Sequence, residues 1–270
     1  MIDSEAIEVL LYKLAARYGY DFSEYARASL HRRIELFYTK TKQPSFAHMS
    51  DRLMQDSIFF MNFVEQITVN VTEMFRDPHF YKMLREQVLP MLATYPFIRI
   101  WHAGCSTGEE AYSMAILLRE AGLLHKSILY ATDINQAVLA KAKAGIFPIA
   151  GMQLNSENYI KSGGREDFSS YYLANHNSAK FDASLSQKMI FSTHNLAADA
   201  SFNEFQLILC RNVLIYFNRE LQGRVLQLFD RSLESLGFLA LGSKESIKFS
   251  PIAGYYKQVV STEKVWRKNK

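Results

Sequence analysis

The fold of this chain is decided by one stretch of sequence, Ile98-Arg99-Ile100-Trp101-His102-Ala103-Gly104-Cys105-Ser106-Thr107-Gly108-Glu109-Glu110. Its first six residues predict a buried strand over 98–103, and the residues from Glu109 to about 121 predict a helix. A strand that enters a helix through a turn of small residues is typical of a parallel sheet, and such turns lie at its carboxyl edge. The stretch therefore predicts an α/β fold with a ligand site at this turn.

The residues of the turn indicate the charge of the ligand. Gly104 and Gly108 let the backbone approach a ligand closely, and free amides at a helix start suit a polar group. Glu109 and Glu110 would repel a phosphate there, and the chain has neither G-x-G-x-x-G nor the phosphate-loop lysine motif. The expected ligand carries positive charge, as the sulfonium and ammonium groups of S-adenosylmethionine do. Alternatively, the two glutamates only complement the helix dipole.

The alternation of predicted strands and helices continues after this stretch, toward the carboxyl end of the chain. The pattern predicts helices at 135–144 and about 220–235, and strands at 127–132, 189–192, 205–210, 238–242 and 258–266.

Two further features lie on this side of the chain. Asp133, at the end of the second strand, can accept hydrogen bonds from both ribose hydroxyls, or it can cap the following helix. The polar stretch after Pro148, with Ser162-Gly163-Gly164 and the pair Tyr171-Tyr172, predicts an inserted β-subdomain at about 152–188.

The amino side has a different pattern. Residues 1–88 show almost no strand pattern and predict a small all-helical domain and linker before an α/β domain over 89–270. The stretch 25–43 holds five basic residues and one acid. A helix over about 25–38 would place Arg27, Arg32 and Arg33 beside or opposite its buried stripe.

Composition excludes several classes of protein. The chain has 270 residues, 49% of them hydrophobic and 21% charged, which is typical of a globular protein and not of a disordered or fibrous one. The net charge of +4 is too small to indicate nucleic acid by itself. Two cysteines cannot form a disulfide framework or a four-ligand zinc site, so we expect no metal and a reduced, cytoplasmic protein. No export signal or long apolar run is present, so we expect no membrane insertion.

Four motifs, taken in order, resemble the CheR family of chemotaxis-receptor glutamate O-methyltransferases, and the resemblance covers nearly the whole chain. They are Asn70-Val71-Thr72-Glu73-Met74-Phe75-Arg76-Asp77, Gly104-Cys105-Ser106-Thr107-Gly108-Glu109-Glu110-Ala111-Tyr112-Ser113, Ala131-Thr132-Asp133-Ile134-Asn135 and Cys210-Arg211-Asn212-Val213-Leu214-Ile215-Tyr216-Phe217. Met74 and Ala111 stand where the family often has Phe and Pro, and neither departure removes a polar contact.

The resemblance implies a Rossmann-like sheet that binds S-adenosylmethionine. It further implies methyl transfer to glutamate carboxylates of methyl-accepting receptors, in chemotaxis signalling, with S-adenosylhomocysteine as the product. The residues implied in cofactor binding are Asn70, Thr72, Arg76, Gly104, Glu110, Asp133, Asn195, Leu196, Asn212 and Val213.

Physical roles follow for some of these positions. Arg76 can pair with the methionyl carboxylate, or it can bridge to Asp77. Asn195 and Asn212 can hydrogen-bond to the adenine or the methionyl amine, and Asn212 can alternatively cap the turn after its strand. Tyr216 can orient the acceptor carboxylate, or it can simply pack in an apolar run. Cys105 is expected to be a turn residue rather than a nucleophile.

The partner is expected to be the cytoplasmic domain of a receptor. Arg27, Arg32 and Arg33 would dock its acidic helices, or they form a solvated face. The β-subdomain would capture the receptor's C-terminal peptide in some family members. We expect a monomer that binds no nucleic acid.

Two other functions stay open at this point. One is an S-adenosylmethionine-dependent methyltransferase for RNA or a small molecule, although the basic excess is only local. The other is a non-catalytic scaffold that binds S-adenosylmethionine without turnover.

Overall fold

The protein is described here by a computed structural model, which covers residues 2–68 and 72–269. Its strands in these ranges are β1 (Ile98–Ala103), β2 (Ser127–Asp133), β3 (Ile146–Pro148), β4 (Tyr172–Asn175), β5 (Ser178–Phe181), β6 (Met189–Thr193), β7 (Phe205–Cys210), β8 (Leu233–Leu241), β9 (Tyr256–Gln258) and β10 (Val265–Lys268).

The α-helices alternate with these strands after an all-helical start. They are α1 (Ser4–Tyr18), α2 (Arg27–Thr41), α3 (Phe46–Gln55), α4 (Ser57–Ile67), α5 (Pro78–Met83), α6 (Leu89–Leu92), α7 (Glu109–Glu120), α8 (Gln136–Ala144), α9 (Met152–Lys161), α10 (Ala183–Ser186) and α11 (Arg219–Ser232). A π-helical turn, Leu84–Val88, joins α5 to α6.

The main sheet has seven strands in the order β6-β2-β1-β7-β8-β10-β9. The first five of these are parallel, and β10 and β9 are antiparallel additions at one edge. Every residue of β7 is buried, as expected for a strand covered by helices on both faces. The chain leaves β1 toward β2 on one side, and β7 pairs with β1 on the other, which opens a crevice at the carboxyl ends of these strands. The predicted α/β fold is confirmed.

The first four helices form their own apolar cluster, centred on buried residues such as Leu14, Ile34 and Phe63. Hydrogen bonds that join their segment to the sheet domain include two between backbone groups: Ala26 N–H donates to the Tyr216 carbonyl at 2.8 Å, and Asn218 N–H donates to the Glu24 carbonyl at 2.8 Å. α5 and α6 pack instead in the core of the sheet domain. The predicted division at residue 88 stays a prediction.

The inserted region contains more helix than the sequence pattern predicts. A small antiparallel sheet, β3-β5-β4, is present, but β3 lies before residue 152. α9 forms the first part of the range 152–188. Ser162-Gly163-Gly164 therefore ends a helix instead of forming a hairpin turn, and Gly163 has a positive φ of 82°. The polar stretch folds as a helix because Asn155 and Asn158 make buried hydrogen bonds to the backbone of Met74.

Two predicted element boundaries near the carboxyl end were wrong. The helix predicted to about residue 235 ends at Ser232, because Leu233 turns extended and pairs with Phe205 at the start of β8. The single strand predicted over 258–266 is the hairpin β9–β10, closed where Val259 N–H donates to the Val265 carbonyl at 2.9 Å. Across the described ranges, no helix is both long and apolar enough to span a membrane.

Candidate active site

A deep cavity lies at the carboxyl edge of the sheet, where α2 covers the ends of the strands. Gly104, Asp133 and Asn212 contribute to its wall and follow β1, β2 and β7. Its empty space is about 1210 Å³ when the open mouth is included, which is enough for a nucleoside-sized ligand. The predicted site residues that line it are Arg33, Thr72, Arg76, Gly104, Glu110, Asp133, Asn212, Val213 and Tyr216.

Gly104 is required by both its backbone and its surroundings. Its φ is 80°, and a Cβ atom at this position would lie 2.5 Å from Cγ2 of Val213. Any side chain would therefore push Val213 out of the wall of the cavity. Gly108 is also at positive φ, but its role is in helix packing: the absence of a Cβ atom lets the start of α7 approach Ala142 of α8.

Glu110 presents a partly buried carboxylate to the cavity. Its Oε1 accepts a hydrogen bond from His102 Nδ1 at 2.9 Å, and its Oε2 lies 3.3 Å from a guanidinium nitrogen of Arg211. Burial alone would raise the pKa of Glu110, but the hydrogen bond from His102 and the charge of Arg211 outweigh burial and hold the pKa below its ordinary value. Glu110 is therefore ionised at neutral pH.

Of the two glutamates at this helix start, Glu109 does not face the cavity. This side chain is buried, does not line the cavity, and accepts a hydrogen bond from Thr107 Oγ1 at 2.7 Å. Successive residues of a helix point about 100° apart, so adjacent carboxylates cannot share one direction. Only Glu110 supplies negative charge to the cavity from this helix start.

Asp133 holds the turn after β1 while keeping its carboxylate at the cavity. Ser106 N–H donates to Oδ2 and Asn135 N–H donates to Oδ1, each at 2.9 Å. The N-cap of α8 is Asn135, so Asp133 is not the cap of that helix. Burial raises the pKa of Asp133, and the N–H groups of Asn135 and Ser106 oppose that rise. Ser106 Oγ is buried with no hydrogen-bond partner among the described residues.

Arg211, which sequence reasoning left without a role, ties the cavity wall together. Its side chain is 3% exposed and lies 4.0 Å over the ring of Phe80. It donates to Asp77 Oδ2 at 2.6 Å and to the Arg76 carbonyl at 3.2 Å, besides its contact with Glu110. Asp77 thus pairs with Arg211. An arginine directly after a mostly apolar strand was the signal that could have found it.

Glu245 is a second residue that the sequence analysis missed. Its carboxylate accepts four backbone hydrogen bonds: from Gly242 at 2.6 Å, Val213 at 2.9 Å, Asn212 at 3.0 Å and Ile215 at 3.3 Å. Asn212 has a positive φ of 62°, so the turn after β7 is held in an unusual conformation by this one side chain. A lone glutamate after a buried strand and a glycine was its only signal.

α2 brings Arg33 into the cavity wall, and the docking role predicted for it stays a prediction. Arg33 donates to the Ile67 carbonyl at 3.0 Å, and its guanidinium lies 5.6 Å from the ring of Tyr216. Burial raises the pKa of the Tyr216 phenol, and the charges of Arg33 and Arg76 oppose that rise. Arg27 and Arg32 are exposed, with Arg27 3.5 Å from Glu8.

Three predicted cofactor residues are not found in the cavity wall. Asn195 and Leu196 do not line it, because Asn195 Oδ1 accepts from Ala197 N–H at 3.0 Å to close its own turn and Leu196 packs against the apolar core. Asn70 lies outside the described residues.

The polar groups and the shape of the cavity wall fit S-adenosylmethionine. Glu110 offers charge to a cation, Asp133 and the unpartnered Ser106 hydroxyl offer polar atoms to a ribose, and Gly104 leaves room for close approach of a ligand.

The comparisons with known proteins agree with this fit. Residues 70–265 match the family model "CheR methyltransferase, SAM binding domain", and residues 5–68 match "CheR methyltransferase, all-alpha domain". The Cher3 protein of Pseudomonas putida is 46% identical over 97% of this chain and 96% of its own. A chemotaxis protein methyltransferase of Listeria monocytogenes is 34% identical over 85% of each chain.

This chain therefore belongs to the CheR methyltransferase family, and its cofactor is S-adenosylmethionine. The predicted resemblance, enzyme class and cofactor are confirmed.

Proposed function

We propose that the protein transfers a methyl group from S-adenosylmethionine to glutamate side chains of chemotaxis receptors and forms methyl esters. One observation carries the proposal: besides Glu73 and Arg211, which pairs with Glu110 and Asp77, the charged residues that line the cavity form two groups. Glu110 and Asp133 lie at the strand ends, whereas Arg33 and Arg76 surround Tyr216. The first group suits a cationic nucleoside, and the second suits carboxylates.

The strand ends would hold the cofactor, which supplies a methyl group activated by its sulfonium. Glu110 attracts the cationic end, and Asp133 accepts hydrogen bonds from the ribose hydroxyls. Arg76 pairs with the methionyl carboxylate, as a guanidinium fork does well. Asn212 hydrogen-bonds to the adenine or the methionyl amine, at a position that Glu245 holds in place.

The acceptor carboxylate would lie against Arg33 and Tyr216. A glutamate with an ordinary pKa of about 4.3 is already ionised at neutral pH, so no general base is required. The raised pKa of Tyr216 keeps its hydroxyl protonated and able to donate a hydrogen bond to that carboxylate. The residues therefore act by alignment and by exclusion of water as α2 covers the cavity.

The receptor would bind outside the cavity as well. Arg27 and Arg32 offer exposed positive charge on α2 to acidic helices in the cytoplasm. β4 is an edge strand with Leu173 79% exposed, and we propose it as the place where a receptor tail peptide adds a strand. A fluorescence titration with receptor tail peptides tests whether such a peptide binds at β4.

The test of the function is transfer of labelled methyl to receptor-containing membranes of the organism that encodes the protein. We expect base-labile label in receptor protein with the wild type and with Asp51→Asn, an exposed aspartate on α3. The matched variant Asp133→Asn loses the charge inside the cavity and should transfer little. Label in RNA, tight cofactor binding with no label in receptor, or equal transfer by Asp133→Asn contradicts the proposal.

A further inference from the structure

A second groove begins where the reaction cavity opens. It lies between the start of α11 and the loop 242–251, and Ile215 lines both the groove and the cavity. The loop is joined to the turn after β7, because Glu245 of the loop accepts hydrogen bonds from backbone N–H groups of that turn. The groove is therefore continuous with the wall that would face the acceptor.

We propose that this groove docks the acceptor itself, as an acidic amphipathic helix on which the reacting glutamate is carried. The inference depends on the proposed function and names a docking surface apart from α2.

The groove carries charge of both signs, but its two acids are already engaged: Glu220 pairs with Arg224, and Glu245 accepts backbone N–H groups. Arg219 and Lys244 line it, and Lys248 is exposed on the same loop. Within residues 2–68 and 72–269, none of these three forms an ion pair. Arg224 differs, because it pairs with Glu24 and Glu220. Three available cations beside the cavity mouth complement a helix that carries several carboxylates.

An apolar anchor accompanies these charges. The side chain of Phe249 is fully exposed at 103% of its reference area and lines the groove, and Ile215 is 38% exposed at the end shared with the cavity. A single exposed apolar residue needs no explanation, but an aromatic ring in a groove beside a reaction site offers a contact for the apolar face of a helix. Charge and apolar surface together fit an amphipathic partner better than a polyanion.

The experiment measures methylation of the cytoplasmic fragment of a receptor from the organism that encodes the protein, as a function of fragment concentration. The variants are Lys244→Glu/Lys248→Glu, Arg219→Glu on a separate element, and Phe249→Ser. The control Lys143→Glu/Lys257→Glu has the same change in net charge at two exposed lysines that line neither the groove nor the cavity. Binding of S-adenosylhomocysteine is measured for each protein.

We expect the Michaelis constant for the fragment to rise about fivefold or more in all three groove variants. The control, the rate at saturating fragment and the affinity for S-adenosylhomocysteine should change less than about twofold. Phe249→Ser separates apolar docking from simple charge attraction.

Two results overturn the inference while leaving the proposed function intact: unchanged constants in the groove variants, or an equal rise in the control. Binding of the wild type to phosphatidylglycerol vesicles that is lost in Lys244→Glu/Lys248→Glu, with unchanged receptor kinetics, assigns the groove to a membrane instead and also overturns it. If the wild type methylates no fragment, the proposed function itself fails.

Discussion

At the scale of single residues, two adjacent glutamates have different roles, one in ligand binding and the other in packing. Glu109 and Glu110 are both poorly exposed, but only Glu110 lines the cavity. We expect Glu110→Gln to weaken S-adenosylmethionine binding by about 1.5–3 kcal/mol, the range for hydrogen bonds that involve a charged group. Calorimetric titration checks this, with Glu109→Gln as the matched control. Equal affinity of Glu110→Gln and the wild type would remove Glu110 from the site.

The pH dependence of stability gives a second test of Glu110. Its pKa is lower in the folded protein than in the unfolded chain, so its carboxylate contributes stability above the unfolded pKa of about 4.3. That contribution is lost as pH falls through the folded value. Urea unfolding should therefore show the stability gap between wild type and Glu110→Gln shrinking as the pH falls below the unfolded pKa of about 4.3. A gap that does not change with pH contradicts the lowered pKa.

Glu245 acts through the turn that it holds. In Glu245→Gln, an amide N–H₂ group would face backbone N–H donors, which leaves at least one buried donor without an acceptor at about 1–3 kcal/mol. We expect lower stability in urea unfolding and, in protein that remains folded, weaker binding of S-adenosylhomocysteine. Glu263→Gln, at a half-buried carboxylate outside the cavity wall, is the control. Full cofactor affinity in Glu245→Gln would show that the turn does not need this carboxylate.

At the scale of elements, α2 has two functional faces. Arg33 faces the cavity beside Tyr216, whereas Arg27 and Arg32 face solvent. We expect Arg27→Glu/Arg32→Glu to raise the Michaelis constant for receptor while cofactor affinity stays intact.

Arg33→Met, by contrast, should also lower the rate at saturating receptor, because it removes a charge at the acceptor site. Receptor titrations with purified variants measure both effects. If the two substitutions behave alike, the division of α2 into two faces is wrong.

Elements also show where sequence reasoning succeeds. β1, β7 and the start of α7 follow directly from short, mostly apolar runs and a turn of small residues. α9 was missed because its asparagines look like loop residues, and their helical role depends on buried partners in the segment around Met74, far away in sequence. The division of 258–266 into a hairpin likewise depends on pairing that local pattern does not encode.

At the scale of the whole molecule, the sequence motifs predicted most residues of the cavity wall but not the residues that hold the wall in place. Asp133 and Glu110 were predictable because they follow strands at the carboxyl edge of the sheet. Arg211 and Glu245 act between distant segments, so only tertiary packing gives them a role. The periodicity of α2 placed Arg33 beside or opposite the buried stripe, but its contact with Tyr216, far away in sequence, could not be predicted from that periodicity.

The central claim is that this cavity places a receptor glutamate against the methyl group of S-adenosylmethionine. Its most direct test is mass spectrometry of receptor fragment after incubation with cofactor and either the wild type or Asp133→Asn. The account predicts added methyl groups on glutamate side chains, removed by mild base, with the wild type and nearly none with the variant. Methyl groups on other residue types, or equal glutamate methylation by Asp133→Asn, would contradict it.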